Sequence, residues 1–324
     1  MFQRVLVPLD GSKRAEQAIP IAARMARATG GSIILARVVL PPVESGKFAA
    51  PSSIAWERRA FAAQHAEAAS YLVNTMFTHS AQLTGIEVEM GVATGLLAPS
   101  VVSVARSQEA DLIIMCSHGE KGLKRWFFGS VAQEIMRLSP FPMLILHEQG
   151  ARFAFHTDHC LRALVILDDS PQSRAVLEPA ARLLASLAAP TQGVLHLQRV
   201  LDLSSTEGLW HNPSIDKIWR EAETSLRMAA HELRSFPAAS RLTITTAVTT
   251  GSSMVEAIMQ QAECAMKAGQ AGMDSFDLIA LSMQRQKGLF RLFKSSAAER
   301  LLGATTLPLL IIPSSMETGF THSR

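Results

Sequence analysis

Residues 4–12 read RVLVPLDGS, and residues 162–170 repeat the pattern as RALVILDDS. Two further stretches recur at a similar distance: DLII at 111–114 returns as DLIA at 277–280, and PFPMLIL at 140–146 returns as TLPLLII at 306–312. A period close to half of the chain length indicates a duplicated domain rather than a solenoid of short repeats. We therefore expect two domains, at residues 1–149 and 160–315, joined by a linker.

In both copies, apolar runs that suit buried strands alternate with helices. We expect strands near 5–9, 32–39, 88–92, 112–116 and 143–146, and again near 163–167, 194–200, 242–248, 278–281 and 309–312. Helices are expected after Ser12 and near 55–83, 99–108, 130–138, 173–187, 215–236, 254–267 and 296–302. Strict alternation of strands and helices predicts a parallel sheet covered on both faces. The expected fold class is α/β, with two doubly wound five-stranded sheets in the order 3-2-1-4-5.

The composition limits the classes of partner. A formal net charge of +3 on 324 residues favours no particular partner, and a single tyrosine with few other aromatics offers no stacking platform for nucleic acid. Cys116, Cys160 and Cys264 are far apart and form neither a disulfide framework nor a metal clip. No apolar run is long enough to span a membrane, and the first strand starts with no signal segment before it. We expect a cytoplasmic protein that binds neither nucleic acid nor membranes.

The loop after the fourth strand differs between the copies. The first copy reads Cys116-Ser117-His118-Gly119, then nine residues, then Gly129-Ser130, whereas the second has Arg285 and Ser295 in place of Gly119 and Gly129. Glycines let backbone amides approach a phosphate, and a helix that opens at Ser130 presents unpaired amides and a positive dipole end. The sequence therefore predicts an anion site in the first copy and an altered site in the second.

Charged residues fit the same hypothesis. Lys121, Lys124 and Arg125 place positive charge in the first loop, and Asp10 at the end of strand one faces that loop. A carboxylate repels phosphate, so Asp10 is expected to accept hydrogen bonds from an adenine or a ribose. The alternative for the first loop is a tight turn with a helix cap. In the second copy, Arg285 could hold a smaller anion or fill the pocket itself.

Both halves resemble the universal stress protein family, and the whole chain resembles its tandem members. The ATP-binding members of that family carry Gly-x-x-Gly-x9-Gly-Ser/Thr after strand four. Gly119, Gly129 and Ser130 match this motif, and Cys116 stands at its first glycine. The resemblance implies that Pro8 and Asp10 hold the adenine, together with a backbone group at Val38. It implies a set of nucleotide-contacting positions: Pro8, Asp10, Val38, Cys116, His118, Gly119, Gly122, Gly129, Ser130, Val131 and Ala132.

The resemblance also implies partners. ATP is the expected cofactor, with Mg²⁺ held by its phosphates, and an unknown protein is an expected partner. Family members commonly pair through the last strand, so we expect an intramolecular pseudo-dimer through 143–146 and 309–312, with a further homodimer possible. Both segments are short, apolar edges that would otherwise invite aggregation.

The expected function is therefore an adenine-nucleotide-binding stress-response protein that acts through nucleotide-dependent conformation or partner binding. No carboxylate pair, His–Asp relay or metal cluster stands out, so no catalytic or metal-binding residues are predicted. Two alternatives remain open: a slow ATPase, and a structural or interaction module without a ligand.

Overall fold

The apolar segments form strands in the computed structural model, which describes residues 2–41, 51–117, 130–147, 159–168, 170–202, 213–251, 253, 255–260, 276–283 and 297–313. The strands are β1 Arg4–Pro8, β2 Ser32–Val39, β3 Glu87–Thr94, β4 Leu112–Ser117, β5 Met143–His147, β6 Arg162–Ile166, β7 Gly193–Asp202, β8 Leu242–Gly251, β9 Leu278–Met283 and β10 Leu309–Pro313. Each of these strands overlaps its predicted segment.

Helices occupy most of the intervening segments. They are α1 Ala18–Thr29, α2 Pro51–Thr78, α3 Ser80–Leu83, α4 Leu97–Ser107, α5 Ser130–Leu138, α6 Leu177–Ala188, α7 Pro213–Arg234 and α8 Ala297–Ala304. Shorter 3-10 turns cover Ala15–Gln17, Pro171–Val176 and Pro237–Arg241. The helix predicted at 254–267 is described only over residues 255–260, which are helical.

The first helix differs from its prediction at its start. We expected it directly after Ser12, but the chain first makes a 3-10 turn at Ala15–Gln17, and α1 follows. The Ser12 side chain explains the delay, because its Oγ accepts a hydrogen bond from the Ala15 amide at 3.1 Å and holds the chain in a turn. The helix ends at Thr29, and the next residue, Gly30, has a φ of +66°, the left-handed conformation that favours glycine.

The chain divides into two units, and the first consists of residues 2–117 and 130–141. Its strands lie in the order β3-β2-β1-β4 and are parallel, with Val5 level with both Ile33 and Leu112. The centre of this sheet is apolar and closed to water: Val5, Leu6, Ile33, Leu112 and Ile113 are all 0% exposed. Burial on both faces is what near-continuous apolar strands of a parallel sheet require.

The second unit runs from residue 142 onward and includes β5. Its strand order is β8-β7-β6-β9-β10-β5, and the first five of these strands are parallel. The predicted order 3-2-1-4-5 is thus confirmed in full for the second copy. Strand β5 lies antiparallel to β10, with Leu144 opposite Leu310. The repeat pattern and the family resemblance predict this pairing.

Pairing of β5 with β10 buries two apolar edges. Leu144, Ile145, Leu309 and Leu310 are each 0% exposed. Unpaired apolar strands of this kind would be templates for aggregation. None of the helices in the described part of the chain has both the length and the apolar character needed to cross a membrane.

Candidate functional site

The turn after β1 fixes the carboxylate of Asp10. Asp10 Oδ1 accepts a hydrogen bond from the Ser12 amide at 2.8 Å, and Gly11 between them has a φ of +92°, which favours glycine. Ser12 in turn accepts from Ala15, so the turn leads directly into the first helix. These local bonds hold the exposed Asp10 side chain at the carboxyl end of β1.

The carboxyl ends of β2 and β4 lie at the same edge of the sheet. Pro8 at the end of β1 is level with Ala36 of β2, and Val38 follows two residues later. On the other side of β1, strand β4 ends at Cys116 and Ser117, which are 9% and 1% exposed. Strand β1 lies between β2, which follows it in the chain, and β4, which does not. Open α/β sheets bind ligands at such a point.

Helix α5 supplies the third part of the candidate site. It begins at Ser130, whose side chain is exposed, and continues through half-buried Val131 to buried Ala132. The first-turn amides of a helix lack intrahelical partners, and the dipole adds positive potential there. Ser130 therefore lies where a helix can bind an anion.

The structure describes seven of the predicted contact positions, all within the first unit: Pro8, Asp10, Val38, Cys116, Ser130, Val131 and Ala132. The others, His118, Gly119, Gly122 and Gly129, lie outside the described residues, as do the loop cations Lys121, Lys124 and Arg125. Four of the described positions come from the carboxyl ends of β1, β2 and β4, and three from the first turn of α5.

The second copy repeats the turn of Asp10. Asp168 Oδ1 accepts from the Ser170 amide at 2.8 Å and from the Ser170 hydroxyl at 2.5 Å, and Ser170 Oγ accepts from the Ser173 amide at 3.2 Å. The aspartate turn is therefore a feature of both copies. What distinguishes them at the sequence level is the segment after β4 and β9, where Arg285 and Ser295 replace glycines and lie outside the described residues.

A buried polar cluster next to this edge was not predicted from the sequence. Glu16 is only 4% exposed, and its carboxylate accepts hydrogen bonds from Lys13 Nζ at 2.9 Å, Tyr71 OH at 3.1 Å and His79 Nε2 at 3.4 Å. Burial favours a raised pKa for Glu16, but the hydrogen bonds from Lys13, His79 and Tyr71 outweigh it and lower the pKa. The carboxylate therefore stays charged.

Tyr71 connects this cluster to the Asp10 turn. Burial, together with the negative charges of Glu16 and Asp10, raises the pKa of Tyr71 to about 12. The Arg37 guanidinium lies over the tyrosine ring at 4.7 Å and packs on Gly11, where a Cβ would come within 3.2 Å of its Nη2. The only available signal in the sequence was that Tyr71 is the single tyrosine of the chain.

Two features of the described residues bear on ligand binding: whether any group could bind a metal ion, and whether any buried polar atom is left without a hydrogen bond. No group of three or more His, Cys, Asp or Glu side chains within them comes together in a way that could hold a metal ion. The hydroxyl of Ser117 is buried and, among the same residues, has no hydrogen-bond partner.

Comparison with known proteins finds relatives of the first copy. Residues 1–147 match the model of the universal stress protein family. A universal stress protein of Methanocaldococcus jannaschii is 25% identical over 147 residues, which cover 45% of this chain and 82% of the relative. Another from Bacillus subtilis is 27% identical over 151 residues, covering 45% of this chain and 99% of the relative.

Solved structures extend the likeness of the fold to the second copy. A universal stress protein from Archaeoglobus fulgidus superposes with a TM-score of 0.65 at 15% identity, covering 97% of this chain and 100% of that chain. A second structure, from Pseudomonas aeruginosa, gives a TM-score of 0.59 at 14% identity over 96% of this chain and 93% of that chain. At these identities the likeness concerns the fold alone.

Proposed function

We propose that the first copy, whose residues 1–147 match the model of the universal stress protein family, binds an adenine nucleotide, with ATP as the preferred ligand. The protein then acts in the stress response as a regulator, through a nucleotide-dependent change of conformation or of protein partner. The observation that supports this most is the placement of Asp10 and the end of β4 at one sheet edge, in a chain whose following loop reads Gly119-x9-Gly129-Ser130.

Each part of the candidate site has a chemical role in this proposal. The first-turn amides of α5 and the Ser130 hydroxyl bind phosphate oxygens, which carry the negative charge that a helix N-terminus favours. Asp10 is an acceptor only, so it takes hydrogen bonds from a ribose hydroxyl or the adenine amino group. The phosphates would hold Mg²⁺, which commonly keeps most of its ligands from phosphate and water.

The second copy has no equivalent role in this proposal. It has the same aspartate turn, but Arg285 and Ser295 stand where the first copy has Gly119 and Gly129. Side chains at those positions occupy the space that a closely approaching phosphate needs. We therefore assign one nucleotide to each chain.

Calorimetric titration with ATP and Mg²⁺ tests this function. The expected result is one nucleotide per chain, and the change Gly129→Trp should abolish binding because the indole fills the phosphate space. The matched control is Ser295→Trp at the corresponding position of the second copy, which should leave the titration unchanged. A stoichiometry of two, or equal binding by Gly129→Trp, would contradict the assignment of the site.

Measurement of phosphate release separates a regulator from an enzyme. A protein that binds ATP tightly and releases no phosphate over hours is a regulator of the kind proposed. Steady release that Gly129→Trp abolishes would instead support the slow ATPase.

A further inference from the structure

Ser117, the last residue of β4, carries a hydroxyl that makes no hydrogen bond within the part of the chain that the structure describes. The residue is 1% exposed, and its Oγ has no hydrogen-bond partner among the described residues. In the unfolded chain that hydroxyl is hydrogen-bonded to water, so burying it without a replacement opposes folding. An unsatisfied buried group of this kind calls for a reason other than stability.

The second copy shows that the fold itself does not need the hydroxyl. Leu6 of β1 is level with Ile113 of β4, and Leu164 of β6 is level with Ile279 of β9. Counting four residues onward from Ile113 and Ile279 makes Ser117 and Met283 equivalent. Met283 is apolar and buried, at 7% exposed. An apolar side chain therefore satisfies the same position in a strand of the same sheet order.

The position of Ser117 points to a ligand. Strands β1 and β4 are parallel neighbours, so Ser117 at the end of β4 lies at the same carboxyl edge of the sheet as the end of β1. This is the same edge to which the candidate nucleotide site belongs, and it directly precedes the segment that leads to Ser130. A serine side chain has three staggered rotamers, so rotation about one bond re-aims the hydroxyl without movement of the backbone.

We propose that the Ser117 hydroxyl contacts the nucleotide and donates a hydrogen bond to an oxygen of its ribose–phosphate part. This inference rests on the proposed function of the first copy and adds a contact residue that lies between Cys116 and His118 of the loop motif. Ligand binding supplies the hydrogen-bond partner that the hydroxyl does not find among the described residues. The hydroxyl is therefore neutral or unfavourable for the stability of the chain without nucleotide and favourable for affinity.

Three variants of the full chain test the role of Ser117, each titrated with ATP and Mg²⁺ by calorimetry and melted without nucleotide. Ser117→Ala should weaken ATP binding about tenfold or more, the usual effect of losing a hydrogen bond to a charged group. Its melting temperature without nucleotide should equal or exceed that of the unaltered chain. Ser117→Thr keeps the hydroxyl on a strand-compatible side chain and should restore the affinity.

The matched control is Ser139→Ala. Ser139 is 0% exposed, but its Oγ accepts from the Phe141 amide at 3.0 Å and donates to the Phe141 carbonyl at 3.2 Å. Its removal should lower the melting temperature and leave ATP affinity unchanged. The two serines thus separate a hydroxyl that serves the fold from one that serves the ligand.

The outcomes distinguish this inference from the proposed function. If the unaltered chain binds no ATP, the proposed function fails, and this contact fails with it. If the unaltered chain binds ATP and Ser117→Ala binds it equally well, this inference alone is overturned. A lower melting temperature of Ser117→Ala without nucleotide would also overturn it, because the hydroxyl would then be structural.

Discussion

Just before its first helix, each copy has a charged residue at the same position, and the two charges are opposite. Six residues after the aspartate of the first turn, the first copy has Glu16 and the second has Arg174. Glu16 is 4% exposed and accepts hydrogen bonds from Tyr71 and His79. Arg174 donates to Glu232 at 3.3 Å in a pair whose side chains are 33% and 41% exposed. The acceptor therefore precedes α1 in the first copy, whereas in the second it lies on α7.

This difference shows which part of the first copy goes beyond the needs of the fold. The second copy reaches the same strand order with a half-exposed ion pair, and pairs open to solvent contribute little to stability. A buried Glu16 is therefore not a requirement of the architecture. Its cluster lies beside the Asp10 turn through Tyr71 and Arg37, in the copy to which we assign the nucleotide.

The largest expected effect tests whether β5 and β10, the last strands of the two copies, contribute equally to stability. Leu144 and Leu310 face each other across the β5–β10 ladder and are both 0% exposed. Changing either one to Lys places a charge in an apolar interior, and we expect a loss of unfolding free energy on the order of 4 kcal/mol. Urea unfolding should give the same loss for Leu144→Lys and for Leu310→Lys.

A lysine on an exposed position provides the control. Thr246 of β8 is exposed, so Thr246→Lys should change the unfolding free energy by less than about 0.5 kcal/mol. A large loss for Leu310→Lys with a small one for Leu144→Lys would show that β10 is essential to the fold and β5 is not.

The next prediction concerns acid, because β5 and β10 end in residues that respond differently to pH. The first ends in His147, and the matching position in the second is Pro313. Burial lowers the pKa of His147 from 6.5 to about 4, because charging the imidazole inside the protein is costly. The folded state therefore favours the neutral ring. The contribution of neutral His147 to the free energy of unfolding is therefore complete above pH 6.5 and is lost as pH falls toward 4.

Between pH 6.5 and 4, the unfolded chain protonates His147 while the folded chain resists it, and the free energy of unfolding should fall by about 3 kcal/mol. Urea unfolding at a series of pH values measures this loss. The variant His147→Leu replaces the titratable imidazole with an apolar side chain and should flatten the curve between pH 6.5 and 4. If it has the same slope as the unaltered chain, another group causes the acid sensitivity.

A smaller effect compares the two polar contacts directly. Glu16→Gln removes the charge that three donors share and should cost about 1–3 kcal/mol at pH 7, whereas Arg174→Met should cost less than about 0.5 kcal/mol. The lowered pKa of Glu16 means that its contribution is present above its ordinary pKa of 4.5 and is lost as pH falls through the folded value. The difference between Glu16→Gln and the unaltered chain should therefore shrink in acid. Equal losses of unfolding free energy for Glu16→Gln and Arg174→Met at pH 7 would contradict this prediction.

Much of the fold could be predicted because its signals are local. Runs such as Val5–Val7 and Leu112–Ile114 are apolar at every position, which suits strands buried on both faces. The position of Asp10 at the end of its strand was likewise predictable. The start of α1 was less so, because whether Ser12 caps a helix or a 3-10 turn depends on the geometry of a few bonds.

The amino-acid sequence by itself determined the duplication, the alternation of strands and helices, the strand order of the second copy and the difference between the two loops. The duplication and the loop difference follow from comparing the two halves, the alternation follows from patterns within short stretches of chain, and the strand order follows from the topology of doubly wound sheets. Only the tertiary structure decided that Glu16 meets Tyr71 and His79, residues 55 and 63 positions away. It also decided that the Ser117 hydroxyl is buried and has no hydrogen-bond partner among the residues that the structure describes. Such contacts depend on how each helix is rotated against the sheet, and packing sets that rotation after the elements have formed.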